Sequence, residues 1–82
     1  MDNLSLLRLA RMLAAHPGYP GNTIATIGHH AEGDGNFFAR FERGADCSTQ
    51  RAKRVAQWFS DNWPPDLEWP RDIPRPNTRV AA

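Results

Sequence analysis

The fold of this chain is decided by residues 22–44, which read NTIATIGHHAEGDGNFFARFERG. Three apolar residues in the first half of this stretch recur at the spacing of one helix face: Ile24, Ile27 and Ala31. Asn22 or Thr23 can cap this helix, because either side chain can accept a hydrogen bond from a free backbone N–H of the first turn. Gly33-Asp34-Gly35 ends it, since glycine readily adopts the positive φ of a helix exit.

A second, shorter helix is predicted from Asn36 to Arg43, with Asn36 as its N-cap. Phe38 and Phe41 are three residues apart and should face the core. Gly44 follows as a typical glycine just past a helix end. Two short helices joined by a tight glycine turn form the skeleton of a helix-turn-helix.

Longer helices are predicted on both sides of this pair. The first runs from Asn3 to Ala15, capped by Asp2 or by Asn3, because its apolar residues cover most of a helix circumference. The last runs from Ser48, or the residue after it, to about Asn62. Its inward stripe has helical spacing: Ala52, Val55, Ala56 and Phe59. No strand pattern is present, so the predicted fold class is all-α with four helices.

The composition changes at Trp63. The stretch from there to residue 76 holds five of the seven prolines, so it cannot form a regular helix and an extended backbone is expected. We therefore predict a helical domain over residues 1–62 and an extended Trp/Pro-rich C-terminal arm over residues 63–82, packed on the same domain. Residues 77–82 should fray. No internal repeat is evident.

The sequence has three tryptophans, which is many for its length: Trp58, Trp63 and Trp69. The preferred interpretation is that the arm folds back over the helices and enlarges a small core, with Leu67 and Ile73 packing beside the tryptophans. A second interpretation is a homodimer or protein-partner interface, where tryptophan is enriched. A third is that Pro74-Arg75-Pro76 serves as a proline-rich ligand.

Length and composition bound the function. The chain has 82 residues and a formal net charge of +1, from ten Lys and Arg against nine Asp and Glu. Its 40% hydrophobic content excludes a disordered tail, and no apolar run approaches the roughly 20 residues of a transmembrane helix. A domain this small buries only about 60% of its unfolded surface, which leaves little room for a deep enzyme pocket. A nearly neutral balance does not by itself indicate a nucleic-acid partner.

No catalytic or metal-binding set is evident, and we expect neither an enzyme nor a cofactor. His29 and His30 are adjacent, whereas two metal ligands on one helix face need a spacing of four. Cys47 has no identifiable base, and a single cysteine excludes an internal disulfide framework. The start of the chain lacks the basic region of a secretory signal, so a cytoplasmic location is expected.

Residues 38–44, Phe-Ala-Arg-Phe-Glu-Arg-Gly, resemble the end of the recognition helix in lambda-repressor and Cro-like DNA-binding domains, a family of small bacterial and phage regulators. The resemblance covers roughly residues 3–62 and implies a compact all-α domain with a helix-turn-helix in its second and third helices. Gly28 matches the small residue at which those two helices cross. Two positions depart from the family: Glu32 stands where the turn glycine is usual, and Gly33 where a buried Val or Ile is usual. These two departures predict a turn that is looser or longer than is usual in the family.

The resemblance also implies how DNA would be bound. The third helix would enter the major groove, where asparagine pairs with adenine and arginine with guanine. The residues expected to contact DNA are Asn22, Thr23, Asn36, Phe37, Arg40, Arg43 and Arg51, with Arg54 as a further phosphate contact. Phe37 either touches a thymine methyl group or belongs to the core. The residues expected to support the fold are Gly28, Phe38, Phe41, Glu42 and Gly44. Proteins similar to this one pair the equivalent of Glu42 with a first-helix arginine, here Arg11 or Arg8.

The function predicted from the sequence is a DNA-binding transcriptional regulator that dimerises on double-stranded DNA, with no membrane partner. The alternative is a helix-turn-helix-derived protein-interaction module or complex subunit without DNA binding. Residues 36–54 hold five basic residues against two acids: Arg40, Arg43, Arg51, Lys53 and Arg54 against Glu42 and Asp46. The acidic excess is expected elsewhere, at Glu32, Asp34 and residues 61–68. If acids instead surround Arg40 and Arg43, the interaction module is favoured.

Overall fold

A computed structural model of the chain describes residues 2–18 and 23–76. Within them lie four α-helices and no strand, which confirms the predicted all-helical class. The helices are α1 (Asn3–Ala15), α2 (Ile24–Glu32), α3 (Phe37–Glu42) and α4 (Thr49–Asn62). The roles predicted for Asn22 and for the last residues of the chain, 77–82, lie outside the described residues.

Side-chain caps fix where three of the helices begin. The Asp2 carboxylate accepts the Ser5 N–H, and the Thr23 and Ser48 hydroxyls accept backbone N–H groups of the first turns of α2 and α4. Each cap satisfies a donor that has no partner within the helix. Gly33 ends α2 with a φ of 68°, in the left-handed region that glycine adopts without strain.

Helix α3 is shorter than predicted by one residue at each end. Asn36 stands at its N-cap position, but the side chain makes no capping hydrogen bond. Asp34 orders the residue before the helix, because its Oδ1 accepts the Asn36 N–H at 2.9 Å. This is the local turn that aspartate favours two residues before a backbone donor. Asn36 is therefore the N-cap residue by position, as predicted, but it does not cap α3 with its side chain.

Gly28 of α2 packs closely against the following turn and α3. A Cβ atom built on Gly28 would lie 2.7 Å from the Asp34 carbonyl oxygen, and 3.5 Å from side-chain atoms of Phe37 and Phe38. A backbone oxygen at that distance leaves no space for a methyl group. The small residue expected at this crossing is thus required by contact with the turn and with α3.

The core runs along a chain of aromatic rings. Phe38 contacts Phe59 of α4 with ring centroids 5.8 Å apart, Phe59 contacts Trp63 at 6.2 Å, and Trp63 contacts Trp69 at 5.0 Å. Apolar residues of α1 complete the core: Leu6, Leu7, Leu9, Ala10 and Leu13. The rings connect α3, α4 and the segment after α4 in one cluster.

The sequence predicted an extended backbone for the segment after α4. The structure differs. The segment folds into two tight turns, residues 63–67 and 69–73, closed by the Leu67 N–H to the Pro64 oxygen and the Ile73 N–H to the Pro70 oxygen. Both turns have the sequence Trp-Pro-x-Asp-Leu/Ile. In each, the tryptophan Nε1–H donates to the carbonyl of the last residue at 2.8 Å. The expectation that the chain contains no repeat is therefore wrong, because this pattern recurs after six residues.

Both turns contact α1 through their aspartates. Asp66 lies 3.0 Å from His16, the C-cap residue of α1, and Asp72 lies 2.6 Å from Arg8. Ile73 is only 4% exposed and belongs to the core cluster. In residues 63–76 the Trp/Pro-rich segment therefore packs on the helices of its own chain.

Candidate nucleic-acid interface

One side of α3 faces away from the core. Asn36, Arg40 and Arg43 follow each other at spacings of four and three, which places them on one face of a helix. Asn36 and Arg43 are exposed and Arg40 is partly exposed. The three phenylalanines of α3 are buried on the opposite side: Phe37, Phe38 and Phe41. Three of the predicted DNA contacts thus share one accessible face.

Phe37 does not belong to that face. It is 2% exposed, and its ring lies 5.0 Å from Phe38 and 4.9 Å from Phe41 between centroids. The Arg51 guanidinium covers the ring, with its central carbon 5.8 Å from the centroid. The prediction that Phe37 contacts a thymine methyl group is wrong, because burying it in the core removes it from any approaching ligand. The alternative that Phe37 is a core residue is correct.

Arg40 is paired with an acid of the preceding turn. Its Nη2 donates to Asp34 Oδ2, while the other carboxylate oxygen of Asp34 accepts the Asn36 N–H. These bonds, from Arg40 first and then from Asn36, lower the pKa of Asp34 below its ordinary value. The carboxylate is therefore ionised at neutral pH and held by two donors.

Glu32 at the end of α2 binds two arginines of α4. Its Oε1 lies 3.0 Å from Arg51 Nε and 2.7 Å from Arg54 Nη2, and the Glu32 side chain is only 8% exposed. The bonds to Glu32 raise the pKa of Arg54. We call the five charged residues around the α2–α3 turn the arginine–carboxylate cluster: Glu32, Asp34, Arg40, Arg51 and Arg54. Three arginines against two carboxylates leave one positive charge uncompensated.

Two further cations close in sequence to the cluster have no ion-pair partner among the residues that the structure describes. Among the described residues, no carboxylate lies within ion-pair distance of exposed Arg43 or exposed Lys53. Thr23 is exposed as well, but its hydroxyl oxygen accepts the Thr26 N–H at 3.2 Å as the cap of α2. Arg43 is thus the predicted phosphate contact whose charge is least committed to the fold.

Glu42 pairs with α1. Arg11 Nη2 lies 2.6 Å from Glu42 Oε2, whereas Arg8, the other predicted partner, binds Asp72. The two side chains of the Arg11–Glu42 pair are 57% and 41% exposed, so the pair is more open to water than the expected half-buried one. Such a pair links α3 to α1 but adds little to stability.

Sequence reasoning missed the positions of Glu32 and Asp34. Both acids were expected apart from the basic stretch, yet the turn between α2 and α3 brings them against Arg40, Arg51 and Arg54. For Asp34 a signal existed, since it lies six residues before Arg40 across a glycine turn. For Glu32 there was none, because its partners lie about twenty residues away on α4.

The other chemistry-bearing residues do not form a site. His29 and His30 are exposed, and burial raises the pKa of the Cys47 thiol. No group of His, Cys, Asp or Glu side chains in the described residues is suited to hold a metal ion. Across residues 2–18 and 23–76, every helix is too short or too polar to cross a bilayer.

Comparison of the chain with protein-family models, with curated proteins and with solved structures yields no match.

Proposed function

We propose that the protein is a non-enzymatic regulator that binds double-stranded DNA with α3 in the major groove. The observation that carries the proposal is that α3 buries its phenylalanines against α2 and the core and keeps Asn36, Arg40 and Arg43 on one accessible face. A short helix presented in this way fits the major groove, and its asparagine and arginine side chains pair with base edges.

The charges around this face support modest, salt-sensitive binding. The arginine–carboxylate cluster contributes one uncompensated positive charge, and Arg43 contributes a second. Each cation that neutralises a phosphate releases a counterion, so affinity falls as salt rises, with a slope set by the number of contacts. Few contacts imply a shallow slope and weak non-specific binding.

The test compares two variants that each remove one arginine charge. Arg43 lies on the α3 face, whereas Arg71 lies in the second turn after α4, where it pairs with Glu68. Binding to a random-sequence duplex is measured by fluorescence anisotropy between 50 and 200 mM salt. We expect Arg43→Ala to weaken binding and to reduce the salt slope by about one contact. Arg71→Ala should bind like the wild type.

Two results would overturn the proposal. One is an absence of salt-sensitive duplex binding by the wild type at low ionic strength. The other is equal loss in Arg43→Ala and Arg71→Ala, since this would reflect net charge rather than contact at α3. Arg43 is a cleaner probe than Arg51, because removing Arg51 also uncovers Phe37 and takes a partner from Glu32.

The second candidate function is a protein-interaction module without DNA binding. The observation favouring it is that Asp34 and Glu32 form ion pairs with three arginines predicted to contact DNA and cancel two of their three positive charges: Arg40, Arg51 and Arg54. This candidate predicts a partner that stays bound after nuclease treatment. Arg43→Glu should release that partner, while Arg71→Glu should retain it.

A further inference from the structure

The Asp34–Arg40 pair is built more firmly than a surface ion pair needs to be. Asp34 Oδ1 accepts the Asn36 N–H at 2.9 Å, so a backbone hydrogen bond holds the carboxylate in place independently of the arginine. Its other oxygen accepts from Arg40 Nη2. Arginine and aspartate are both partly exposed, with 43% and 36% of their side chains accessible. The ion pair thus orients the Arg40 guanidinium and leaves it accessible to a ligand.

The pair leaves most donors of Arg40 unused. A guanidinium carries five N–H groups in a planar fork, and within the described residues Asp34 is the acceptor that Arg40 binds. The remaining donors include two parallel N–H groups along one edge of the fork. Guanine presents two parallel acceptors in the major groove, O6 and N7, whereas adenine presents N7 beside an amino donor that arginine cannot satisfy.

We propose that Asp34 is a positioning residue that holds Arg40 for bidentate contact with guanine and so sets a G·C preference at one base pair. The inference rests on the proposed DNA-binding function and adds to it the base and the residue that controls the choice. A carboxylate beside Arg40 also repels phosphate, which directs this arginine toward base edges rather than the backbone. Orientation before binding reduces the freedom lost when the contact forms.

The experiment uses the full chain and Asp34→Asn. The asparagine carboxamide oxygen still accepts the Asn36 N–H, so the turn is kept while the charge is removed. The control is Asp72→Asn, which also removes one carboxylate charge. Asp72 lies in the second turn after α4 and forms an exposed ion pair with Arg8 of α1. A preferred site is selected from a randomised duplex with wild-type protein. Affinities are then measured for that site and for versions with guanine replaced by adenine at each position.

We expect the wild type to prefer guanine over adenine at one position by roughly 5- to 150-fold, the range of a bidentate contact. Arg40→Lys should abolish this preference, because lysine offers no planar fork. Asp34→Asn should reduce the preference to less than about a third of its wild-type value, while affinity for random duplex is unchanged or higher. Asp72→Asn should keep the preference.

The inference is overturned if Asp34→Asn binds every duplex more tightly with the guanine preference unchanged, since Asp34 would then only cancel charge. It is also overturned if the preference survives in Arg40→Lys, or if the wild type binds duplex DNA without favouring guanine at any position. In these cases the proposed DNA binding stands. A wild type that binds no duplex at low salt rejects both the proposed function and this inference.

Discussion

Gly28 shows how one missing side chain sets the geometry of the candidate site. Because it has no Cβ, the Asp34 carbonyl and the phenylalanines of α3 pack directly on the α2 backbone. The same close approach places Asp34 in the turn where it meets Arg40. A larger residue at position 28 would push α3 and its turn away from α2, and with them the outward face.

Gly28→Ala should therefore destabilise the fold by about 1–3 kcal/mol, the cost of forcing an extra methyl group into a packed contact. Gly35→Ala is the matched control, because a Cβ there would lie at an ordinary 3.7 Å from the Ala25 carbonyl oxygen. The free energy of unfolding is measured by urea denaturation. Equal stability of the two variants would contradict the close crossing.

At the scale of the element, the first turn of α4 connects its N-cap, Ser48, with the arginine–carboxylate cluster. Ser48 accepts the Arg51 N–H at 3.1 Å and so fixes the first turn of the helix. That turn carries the Arg51 side chain to Glu32 and over the Phe37 ring. The cap thus stabilises the helix and also orders a charged residue beside α3.

Ser48→Ala should cost about 1 kcal/mol of unfolding free energy, the usual effect of losing an N-cap. Thr49→Ala is the control, since the exposed Thr49 follows the cap and alanine favours a helix more than threonine does. Thermal and urea unfolding followed by circular dichroism measure both. A Ser48→Ala protein as stable as Thr49→Ala would show that the cap contributes nothing.

At the scale of the whole molecule, the segment after α4 completes the core. The two Trp-Pro-x-Asp-Leu/Ile turns place Trp63 and Ile73 among the helices and set their aspartates against α1. Arg75 strengthens this contact, because its Nη2 donates to the Ser60 carbonyl of α4 at 2.9 Å and its guanidinium lies 5.1 Å from the Trp69 ring centroid. In a domain of 82 residues such added burial matters, since a small core gives little stability.

Ile73→Ala should lower the free energy of unfolding by about 2–5 kcal/mol, as expected for truncation of a buried side chain. Leu4→Ala, at a leucine that is 75% exposed, should change it by less than about 0.5 kcal/mol. Both are measured by urea denaturation. If Ile73→Ala unfolds at the same urea concentration as Leu4→Ala, the segment does not share the core.

Acid should weaken the whole fold through three aspartates. Hydrogen bonds from Ser5, Arg40 and Arg8 lower the pKa of Asp2, Asp34 and Asp72, respectively, below the ordinary value of 3.8. A folded-state pKa below the unfolded value means that the carboxylates stabilise the fold above the unfolded pKa. This contribution is lost as the pH falls through the folded pKa values.

The free energy of unfolding should therefore be steady with respect to these groups above about pH 5 and decline below about pH 4. The double variant Asp34→Asn, Asp72→Asn should show a smaller decline over the same range. Urea denaturation at a series of pH values measures both proteins. Parallel pH profiles would show that these two carboxylates do not carry the effect.

The sequence by itself determined the number of helices and the ends of three of them. Periodic apolar residues and local caps act over one or two turns, so the bounds of α1, α2 and α4 were predictable. The resemblance of residues 38–44, rather than periodicity, implied a small residue at Gly28. The tertiary structure alone decided the charge pairs between distant segments: Glu32 with two arginines of α4, and Arg8 with Asp72. The tertiary structure also decided that Phe37 is buried. A helix of six residues is too short for its hydrophobic pattern to show whether Phe37 faces the core or the solvent. Local patterns follow from hydrogen bonds and periodicity along the chain, whereas charge pairing and burial depend on how separate helices pack.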